Sequence, residues 1–362
     1  MNYRLSTLFP RKAEASDITE PIDIIGVDKI SRISVIHEPY NSESGTQTAH
    51  PSACITKIEV IDGSDVLFSL TGKEAQAADW YNNGIEPQSL TDYLPTRYAE
   101  MVYNINFGRY LYDPQLAFDP VRFRNPQLKI IIDVNGGGTV VTTGYLTVLL
   151  HLFDEKSISP VGFLMHKEVK DYALGASAHE YTDLPTDYAI RKLFARIQKY
   201  TYGPRDCFDT IKISEDNDKK IPLNHTISQI LKAITSLKKP YQEWVLHEGS
   251  AAGTYVYVTP TERVNIQGTQ WRATASQAFI AYLYADGGRA TFDQYSETSN
   301  TQAIATGWCP HGVVEVPFGD QMDMADWYDV TKIKNLKLDI LSSANVGSTD
   351  SCQIFLQQLR KY

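Results

Sequence analysis

The chain of 362 residues is 43% hydrophobic and 21% charged, which is typical of a globular protein long enough for two domains, each with its own core. The formal net charge of −9 argues against a nucleic-acid groove, because such a groove needs a basic stripe to neutralise phosphates. The four cysteines, Cys54, Cys207, Cys309 and Cys352, form no CxxC pair. We therefore expect buried free thiols rather than a zinc site or a disulfide framework.

Residues 1–26 mix basic and apolar side chains, beginning MNYRLSTLFPRK. This segment has neither the apolar core of a signal peptide nor the length of a membrane span, and we expect synthesis in a reducing cytoplasm. It is predicted to be an extended or partly helical N-terminal arm outside the first core. Such an arm could rest on an acidic neighbour or a lipid surface, and the alternative is a terminus ordered only by its own domain. The first strand is expected at 30–36 (ISRISVI), with a counterpart at 190–197 (IRKLFARI).

A pattern in the first half of the chain returns in the second half. Residues 55–81 (ITKIEVIDGSDVLFSLTGKEAQAADWY) resemble residues 210–234 (TIKISEDNDKKIPLNHTISQILKAI) at an offset of 153. The coinciding positions are Ile58 with Ile211, Val60 with Ile213, Phe68 with Ile221, Leu70 with Leu223, Gln76 with Gln229, and the turn 62–65 with 215–218. Each copy predicts a strand, an acidic turn, a second strand and a helix-like run.

Further strands are expected along the rest of the first half. Val102–Phe107 alternates apolar and polar residues, and the triplet 136–138 (GGG) is interpreted as a turn, since no Lys-Ser/Thr follows as in a phosphate loop. A second pair of matches, at an offset of 208, aligns 128–130 (LKI) with 336–338 (LKL) and 146–148 (LTV) with 354–356 (IFL). The run 145–153 (YLTVLLHLF) indicates a strand that is buried on both faces.

These features predict an all-β chain with short helices and long decorated loops. The expected divisions are an N-terminal arm over 1–26, a first sandwich over 27–155, a linker over 156–187 and a second sandwich over 188–362. The strongest linker signal is the stretch 154–160 (DEKSISP), from which the crossing extends through polar residues to 187. The second sandwich carries extra material around 235–321, which is interpreted as short strands and polar turns forming an inserted tower.

No catalytic signature is present. A GxSxG motif is absent, and His179–Glu180 and His247–Glu248 each lack the second histidine of a zinc metalloprotease helix. Asp320, Asp323 and Asp326 form an acidic group that is expected to be a solvated loop, with a bound cation or a basic neighbour as the alternative. We assign no catalytic, cofactor-binding or metal-binding residues and expect a protein that is not an enzyme.

The two β-rich halves, with a helix-like run after each hairpin, resemble the double jelly-roll major capsid proteins of the tectivirus and adenovirus lineage, and look closest to those of small membrane-containing bacteriophages. The resemblance is carried by the hairpin 55–81, by the strands 128–134 (LKIIIDV) and 144–153 (GYLTVLLHLF), and by their second-half counterparts. It covers nearly the whole chain at the level of plan. It implies two consecutive jelly-roll β-sandwiches, a structural role and no catalytic residues.

The resemblance also implies partners. The chain would form a homotrimer whose six jelly rolls make a pseudo-hexagonal block, and trimers would tile an icosahedral virion shell with penton and other minor capsid proteins, assembling in the host cytoplasm. The tower would project outward, the N-terminal arm would face an internal viral membrane or a neighbouring trimer, and nucleic acid would not be bound directly. The tyrosine-rich stretch Tyr93–Tyr112 is expected to make trimer contacts.

Two alternative functions belong to other classes. A carbohydrate-binding or receptor-binding spike or lectin could stack sugar rings on exposed aromatic residues such as Trp244, Trp271 and Trp308. A β-sandwich glycoside hydrolase could bring together two carboxylates from distant strands, which sequence spacing does not reveal.

Overall fold

The computed structural model describes residues 1–42, 47–138, 141–235, 238–248, 255–271, 278–282, 286–291 and 300–362. Within these ranges, strands predominate, and no helix combines the length and apolar character needed to cross a bilayer.

The described part of the first half contains ten strands and a single α-helix of twelve residues. The strands are β1 (Tyr3–Glu14), β2 (Ile18–Asp23), β3 (Ile30–Asn41), β4 (Ile55–Asp62), β5 (Asp65–Leu70), β6 (Thr91–Asp92), β7 (Arg97–Tyr98), β8 (Met101–Asn106), β9 (Pro126–Ile132) and β10 (Val141–Phe153). The helix is α1 (Gly72–Asn83), and two 3-10 turns are η1 (Pro51–Cys54) and η2 (Pro120–Arg122).

The second half repeats this order and adds an insertion. Its strands are β11 (Gly162–Ala173), β12 (His179–Asp183), β13 (Ile190–Ile197), β14 (Phe208–Glu215), β15 (Lys220–Thr226), β22 (Val313–Pro317), β23 (Leu336–Ser342) and β24 (Ser351–Lys361). Its helices are α2 (Pro204–Cys207) and α3 (Ile227–Thr235). The inserted elements are β16 (Tyr241–Glu248), β17 (Tyr255–Tyr257), β18 (Glu262–Trp271), β19 (Ala278–Tyr282), β20 (Arg289–Thr291), β21 (Asn300–Trp308) and the 3-10 turn η3 (Pro310–Gly312).

The same strand order recurs in both halves. In the first half, β1, β10, β3 and β8 form one sheet and β2, β9, β4 and β5 form the other. In the second half, β11, β24, β13 and β22 correspond to the first sheet, and β12, β23, β14 and β15 correspond to the second. Successive strands alternate between two facing sheets, which is the jelly-roll arrangement, so the prediction of two consecutive jelly rolls is confirmed.

Alternating apolar residues build the core of each jelly roll. Strands β9 and β23 both bury every second residue, because successive side chains of a strand point to opposite faces. Their buried residues, among them Ile130 and Leu338, belong to one hydrophobic cluster that runs through both halves. The two jelly rolls therefore pack against each other through a continuous core.

The segment predicted to be an N-terminal arm is instead part of the first jelly roll. Strand β1 pairs with β10 and strand β2 with β9, and Ile22 and Ile24 lie in the core. The prediction of an arm over 1–26 was wrong because the half-exposed edge strand β1 has no regular apolar alternation: its burial pattern becomes irregular at the register shifts near Phe9.

The predicted linker over 156–187 was also wrong. Most of this segment forms β11 and β12, the counterparts of β1 and β2. These strands contain several charged residues, such as Lys167 and Glu168, which suggested a linker; they face partners from the first half and from β24. The connection between the halves lies between Phe153 and Gly162, so the linker coincides with the stretch 154–160 and the predicted extension to 187 was too long.

The alignment of the two hairpins needs a correction of two residues. Ile58 lies opposite Leu70 in the first hairpin, whereas Ile211 lies opposite His225 in the second. Leu223, not Ile221, is thus the equivalent of Phe68. The second turn is longer, with three residues of positive φ (Asp216, Asn217 and Asp218), so the second strand is displaced along the sequence.

The insertion lies between α3 and β22. It forms an antiparallel sheet in the order β19, β18, β21, β16, which β6 of the first half extends by parallel pairing. The predicted range of 235–321 included β22, which belongs to the jelly roll itself. Strand β10, predicted to be buried on both faces, has one buried and one half-buried face.

Candidate functional site

Helix α1 of the first half lies in the contact between the two jelly rolls, which contains many polar and aromatic side chains. Thr71 caps the helix: its hydroxyl accepts from Glu74 N (3.3 Å), and the Glu74 carboxylate accepts from Thr71 N (2.8 Å). This reciprocal arrangement satisfies two backbone donors at the helix start. Trp80 and Tyr81 of the last turns are almost completely buried.

The end of α1 is held by hydrogen bonds from the second half. The Tyr81 hydroxyl donates to the carbonyl of Val313 in β22 (2.7 Å), and Lys192 Nζ of β13 donates to the Tyr81 carbonyl (2.8 Å). A cation at this position is favourable because the last carbonyls of a helix carry partial negative charge. Burial lowers the pKa of Lys192, and the carboxylate of Glu315, in close contact with it, opposes that shift.

The outward face of the second half's first sheet is buried against α1. Phe194 stacks on Phe355 with ring centroids 4.6 Å apart and lies 5.9 Å from the Tyr81 ring. Gln357 bridges two further groups, since its amide donates to His166 Nε2 (2.8 Å) and its oxygen accepts from Arg191 (2.8 Å). These side chains make a surface of aromatic rings and hydrogen-bonded polar groups.

Burial keeps His166 neutral. Burial, supported by the nearby positive charges of Arg191 and Lys192, lowers the pKa of His166 to about 3. The His166 ring also lies edge-on to Phe68, with centroids 5.5 Å apart. Here the two halves share a sheet, because β5 pairs in parallel with β11 through Phe68 opposite His166 and Ser69 opposite Lys167.

A second buried cluster fastens the insertion to the first half. His50 Nε2 donates to Glu243 Oε1 (2.8 Å), and Glu243 Oε2 accepts from Thr259 N (2.6 Å). Thr91 donates to the same carboxylate. Although burial alone would raise the pKa of Glu243, the facing His50 and these donors hold it below its usual value.

The same cluster contains a second histidine. His311 donates through Nε2 to Gln76 Oε1 of α1 (2.8 Å), and its ring lies 5.1 Å from that of His50. Burial and then the nearby His50, Lys73 and Arg196 lower the pKa of His311 well below its usual value. Sequence reasoning missed this cluster because its members come from positions up to 235 residues apart and follow no local spacing.

Two surfaces form the contact between the halves, one on each jelly roll. Each of them has a structural equivalent on the other jelly roll that the chain itself does not fully cover. Strand β24 is buried on both faces, whereas one face of its counterpart β10 remains half-buried. Helix α1 has nine buried residues, whereas its counterpart α3 exposes Gln229, Lys232 and Ala233. A groove lined by Leu223, Ile230 and Val316 runs beside α3.

The stretch Tyr93–Tyr112, predicted to be a contact loop between subunits, lies mostly inside the protomer. Tyr93 and Tyr103 are buried, and the Tyr93 hydroxyl donates to the carbonyl of Tyr257 in the insertion (2.7 Å). Only Tyr110 is exposed, while Tyr98 and Tyr112 are half-buried. The trimer contacts expected of this stretch stay a prediction that falls mainly on Tyr110, and the strand predicted at 102–107 is confirmed as β8.

The other residues singled out in the sequence fall in separate places. The carboxylates of Asp320 and Asp323 accept from backbone N–H groups of their own loop, Met322 N (2.8 Å) and Ala325 N (2.9 Å), as expected of a loop rather than a binding site. The described residues contain no group of three His, Cys, Asp or Glu that could hold a metal ion. The four cysteines are free and buried.

The tryptophans of the insertion differ in exposure. Trp244 is 46% exposed on β16, and Trp308 is half-buried beside α3. The side chain of Trp271 lies outside the described residues. Next to Trp244, the outward face of the inserted sheet presents the exposed amides of Gln242, Gln267 and Gln302.

Comparison with known proteins identifies the fold. No family model matches the sequence, and no curated protein matches it. The structure is similar to the major capsid protein of Sulfolobus Turreted Icosahedral Virus, with a TM-score of 0.61 and 11% identity over 99% of this chain and 96% of the other. It is also similar to the major capsid protein P2 of bacteriophage PM2, with a TM-score of 0.57 and 11% identity over 99% of this chain and 98% of the other.

A third similar structure is PBCV-1 VP54, as fitted into a reconstruction of the virophage Sputnik, with a TM-score of 0.60 and 10% identity over 99% of this chain and 94% of the other. All three alignments span nearly both chains, so the likeness includes both jelly rolls and their junction. The chain therefore has the double jelly-roll fold of these capsid proteins. The three TM-scores are similar and do not single out the bacteriophage protein.

Proposed function

We propose that this protein is a viral major capsid protein, a structural protein whose copies associate head to tail into a closed ring of three. The observation that carries the proposal is that the contact between the two jelly rolls has an uncovered equivalent on each side. The shared fold with three capsid proteins supports the same conclusion.

The ring follows from the two different surfaces used in the contact. Within the chain, the first half contributes α1 and β5, and the second half contributes the outward face of β13 and β24. In the second half, the counterparts α3 and β15 leave side chains such as Gln229 and Asn224 exposed, and the outward face of β3 and β10 in the first half is half-buried. A contact between unlike surfaces repeats from copy to copy until it closes. Three copies give six jelly rolls, a pseudo-hexagonal block.

The apolar character of the uncovered surfaces fits a protein partner. On the outward face of the first half, Ile36, Val102 and Leu149 are half-buried. They would lie against the groove beside α3, whose walls include Leu223 and Ile230. Burial of such apolar area stabilises association by roughly 25 cal/mol per Å² before the cost of ordering is subtracted.

The proposal includes neighbouring trimers and penton or other minor capsid proteins as partners in an icosahedral virion shell assembled in the host cytoplasm. Because residues 3–14 and 18–23 form strands β1 and β2, we do not assign a contact with an internal membrane to them. It would fall instead to the loops around Ile25, Val27 and Val121, whose side chains are 82%, 70% and 56% exposed.

The mass of the protein in solution tests the proposal. Light scattering across a range of concentrations should give a species of three times 40.7 kDa, with larger particles at higher concentration visible by electron microscopy. Leu149→Arg should abolish the trimer, because the charge would be buried against the groove, while Tyr181→Arg, on the exposed edge strand β12, should leave it intact. A wild-type protein that stays monomeric at all concentrations would contradict the proposal.

The tower face around Trp244 favours a second candidate function, binding of a glycan. An exposed indole can stack on a sugar ring while neighbouring amides bond to hydroxyl groups, and Gln242 and Gln302 flank Trp244 on this face. A glycan-array screen of wild type and Trp244→Ala tests this function. Binding that disappears in the variant would support it, and an array without binding would contradict it.

A further inference from the structure

The edges of the jelly-roll sheets follow a simple pattern. The described sheets of the two jelly rolls have eight edges, and β5 and β11 pair with each other at two of them. Helix α1 covers the edge of β8, where Gln76 donates to the Val102 carbonyl (3.2 Å), and α3 lies beside β22. Four edges remain, on β1, β2, β12 and β15.

Two of these edges are protected by charge. Strand β2 carries Glu20, Pro21 and Asp23, and β12 carries Glu180 and Asp183. Acidic residues and proline on an edge strand prevent pairing with another chain. By contrast, the stretches Leu5–Thr7 of β1 and Leu223–Thr226 of β15 contain no Asp, Glu, Lys or Arg.

Strand β15 is the equivalent of β5, and the register identifies the matching residues. Phe68 lies opposite Val60 in the first hairpin, and Leu223 lies opposite Ile213 in the second. Leu223 therefore holds the position that Phe68 uses to face His166. Pro222 has no N–H to donate, which limits pairing to the residues after it.

Strand β1 is the equivalent of β11. His166 of β11 lies opposite Gln357, and Leu5 of β1 lies opposite His151. Gln357 and His151 occupy the same position in the two jelly rolls, because Gln357 lies opposite Lys192 and His151 lies opposite Arg32. Leu5 is therefore the equivalent of His166, and its side chain is 57% exposed.

We propose that β15 of one copy pairs in parallel with β1 of the next copy, with Leu223 beside Leu5 and Asn224 beside Ser6. The strand pairing that joins the two jelly rolls within each chain is thereby repeated between chains. The three contacts between neighbouring copies would then each be a shared sheet, like the three contacts within the chains. This inference rests on the proposed function, because it needs a ring of copies. It adds the strands, the direction and the register of the contact.

The apolar pair explains why Leu5 is exposed in the single chain. On the joined sheet of the protomer, the core side of β5 is continuous with the outward face of β11, where Phe68 meets His166. The same continuity places Leu5 of the next copy at the rim of the groove formed by Leu223, Ile230 and Val316. Neighbouring strands lie about 4.8 Å apart, so the two leucine side chains would be in contact.

Cysteine cross-linking tests the register. In the variant Leu5→Cys/Leu223→Cys, paired residues would lie within the range that a disulfide can bridge, and the four native cysteines are buried and free. After mild oxidation, a non-reducing denaturing gel should show bands at two and three times the mass of the chain. A second pair, Ser6→Cys/Asn224→Cys, should cross-link as well, because it lies one residue further in the same register.

The matched control is Leu5→Cys/Tyr181→Cys, since Tyr181 is 58% exposed on the acidic edge β12; it should show no band at three times the chain mass. The mass of each reduced variant is measured first by light scattering. A trimer in which neither designed pair cross-links more than the control overturns the strand pairing and leaves the proposed function standing. A protein that forms no trimer before or after substitution, including the wild type, overturns both.

Discussion

Phe355 and Leu149 occupy equivalent positions in the two jelly rolls, yet Phe355 is completely buried and Leu149 is partly exposed. Phe355 lies opposite Phe194 in the second half, and Leu149 lies opposite Ser34 in the first. Phe355 stacks on Phe194, and Phe194 lies against Tyr81 of helix α1 in the first half. The chain leaves the surface around Leu149 uncovered, which is where the next copy is proposed to pack.

This difference predicts unequal effects of truncation. Phe355→Ala should lower the free energy of unfolding by about 3–5 kcal/mol, because it leaves a buried cavity beside the Phe194 ring on which Phe355 stacks. Leu149→Ala should lower the free energy of unfolding of the monomer by only about 1 kcal/mol, and it should also weaken the trimer. Thermal melts and light scattering measure the two effects, and equal loss of monomer stability in both variants would contradict the assignment.

The buried carboxylate of Glu243 should be essential for docking of the insertion. Glu243→Gln would leave the donors from His50, Thr91 and Thr259 facing an amide, at an expected cost of about 2–4 kcal/mol. The control is Glu168→Gln, which removes a half-exposed ion pair with Lys57 (3.1 Å) and should cost less than about 1 kcal/mol.

Denaturant titrations at pH 7 compare the two variants. In a double-mutant cycle, His50→Gln should cost little more once Glu243 has been replaced, because the two side chains bond to each other. If the stability losses of His50→Gln and Glu243→Gln simply add in the double variant, the two side chains do not interact.

Stability should fall in mild acid because of His166. Its pKa is about 3 in the folded protein and about 6.5 when unfolded. The unfolded chain therefore binds the proton between these values, so stability decreases as pH falls from about 6.5 and levels off only near 3. At pH 5 the loss from this group is about 2 kcal/mol relative to pH 7.

His166→Gln should flatten this part of the pH dependence, which thermal melts from pH 5 to pH 7.5 would show. Other buried histidines, such as His37, whose pKa burial lowers to about 4, keep part of the slope. A variant with the full slope of the wild type would contradict the assignment.

Gly312 should tolerate no side chain. Its φ is +77°, and a Cβ there would lie 1.7 Å from the carbonyl oxygen of Ile197. Gly312→Ala should therefore destabilise the protein by more than about 3 kcal/mol, because strain and a backbone clash add together.

Gly347→Ala is the matched control, since a Cβ there meets nothing within 4 Å and its φ is not left-handed. It should change stability by less than about 1 kcal/mol, and in the stabilising direction if the unfolded chain loses freedom. Soluble yield and melting temperature distinguish the two glycines. Similar values for both variants would contradict the geometry of η3.

The sequence by itself determined the plan of the fold. The recurring hairpin and helix, the closing strands and the alternation of apolar residues are local patterns, because strand faces and helix caps depend on near neighbours. The two capping sites, Thr71 with Glu74 and Thr226 with Gln229, are also visible in the sequence. Aligning them would have corrected the two-residue slip between the hairpins.

Only the tertiary structure decided where the two halves meet and which equivalent surfaces stay uncovered. The pairing of β5 with β11, the burial of Phe355 and the cluster of His50, Glu243 and His311 join residues roughly 100 to 300 positions apart in sequence. Strands β1 and β11 were missed because edge strands at a junction need no regular alternation. Burial at such positions is set by what packs against them, which the local sequence does not encode.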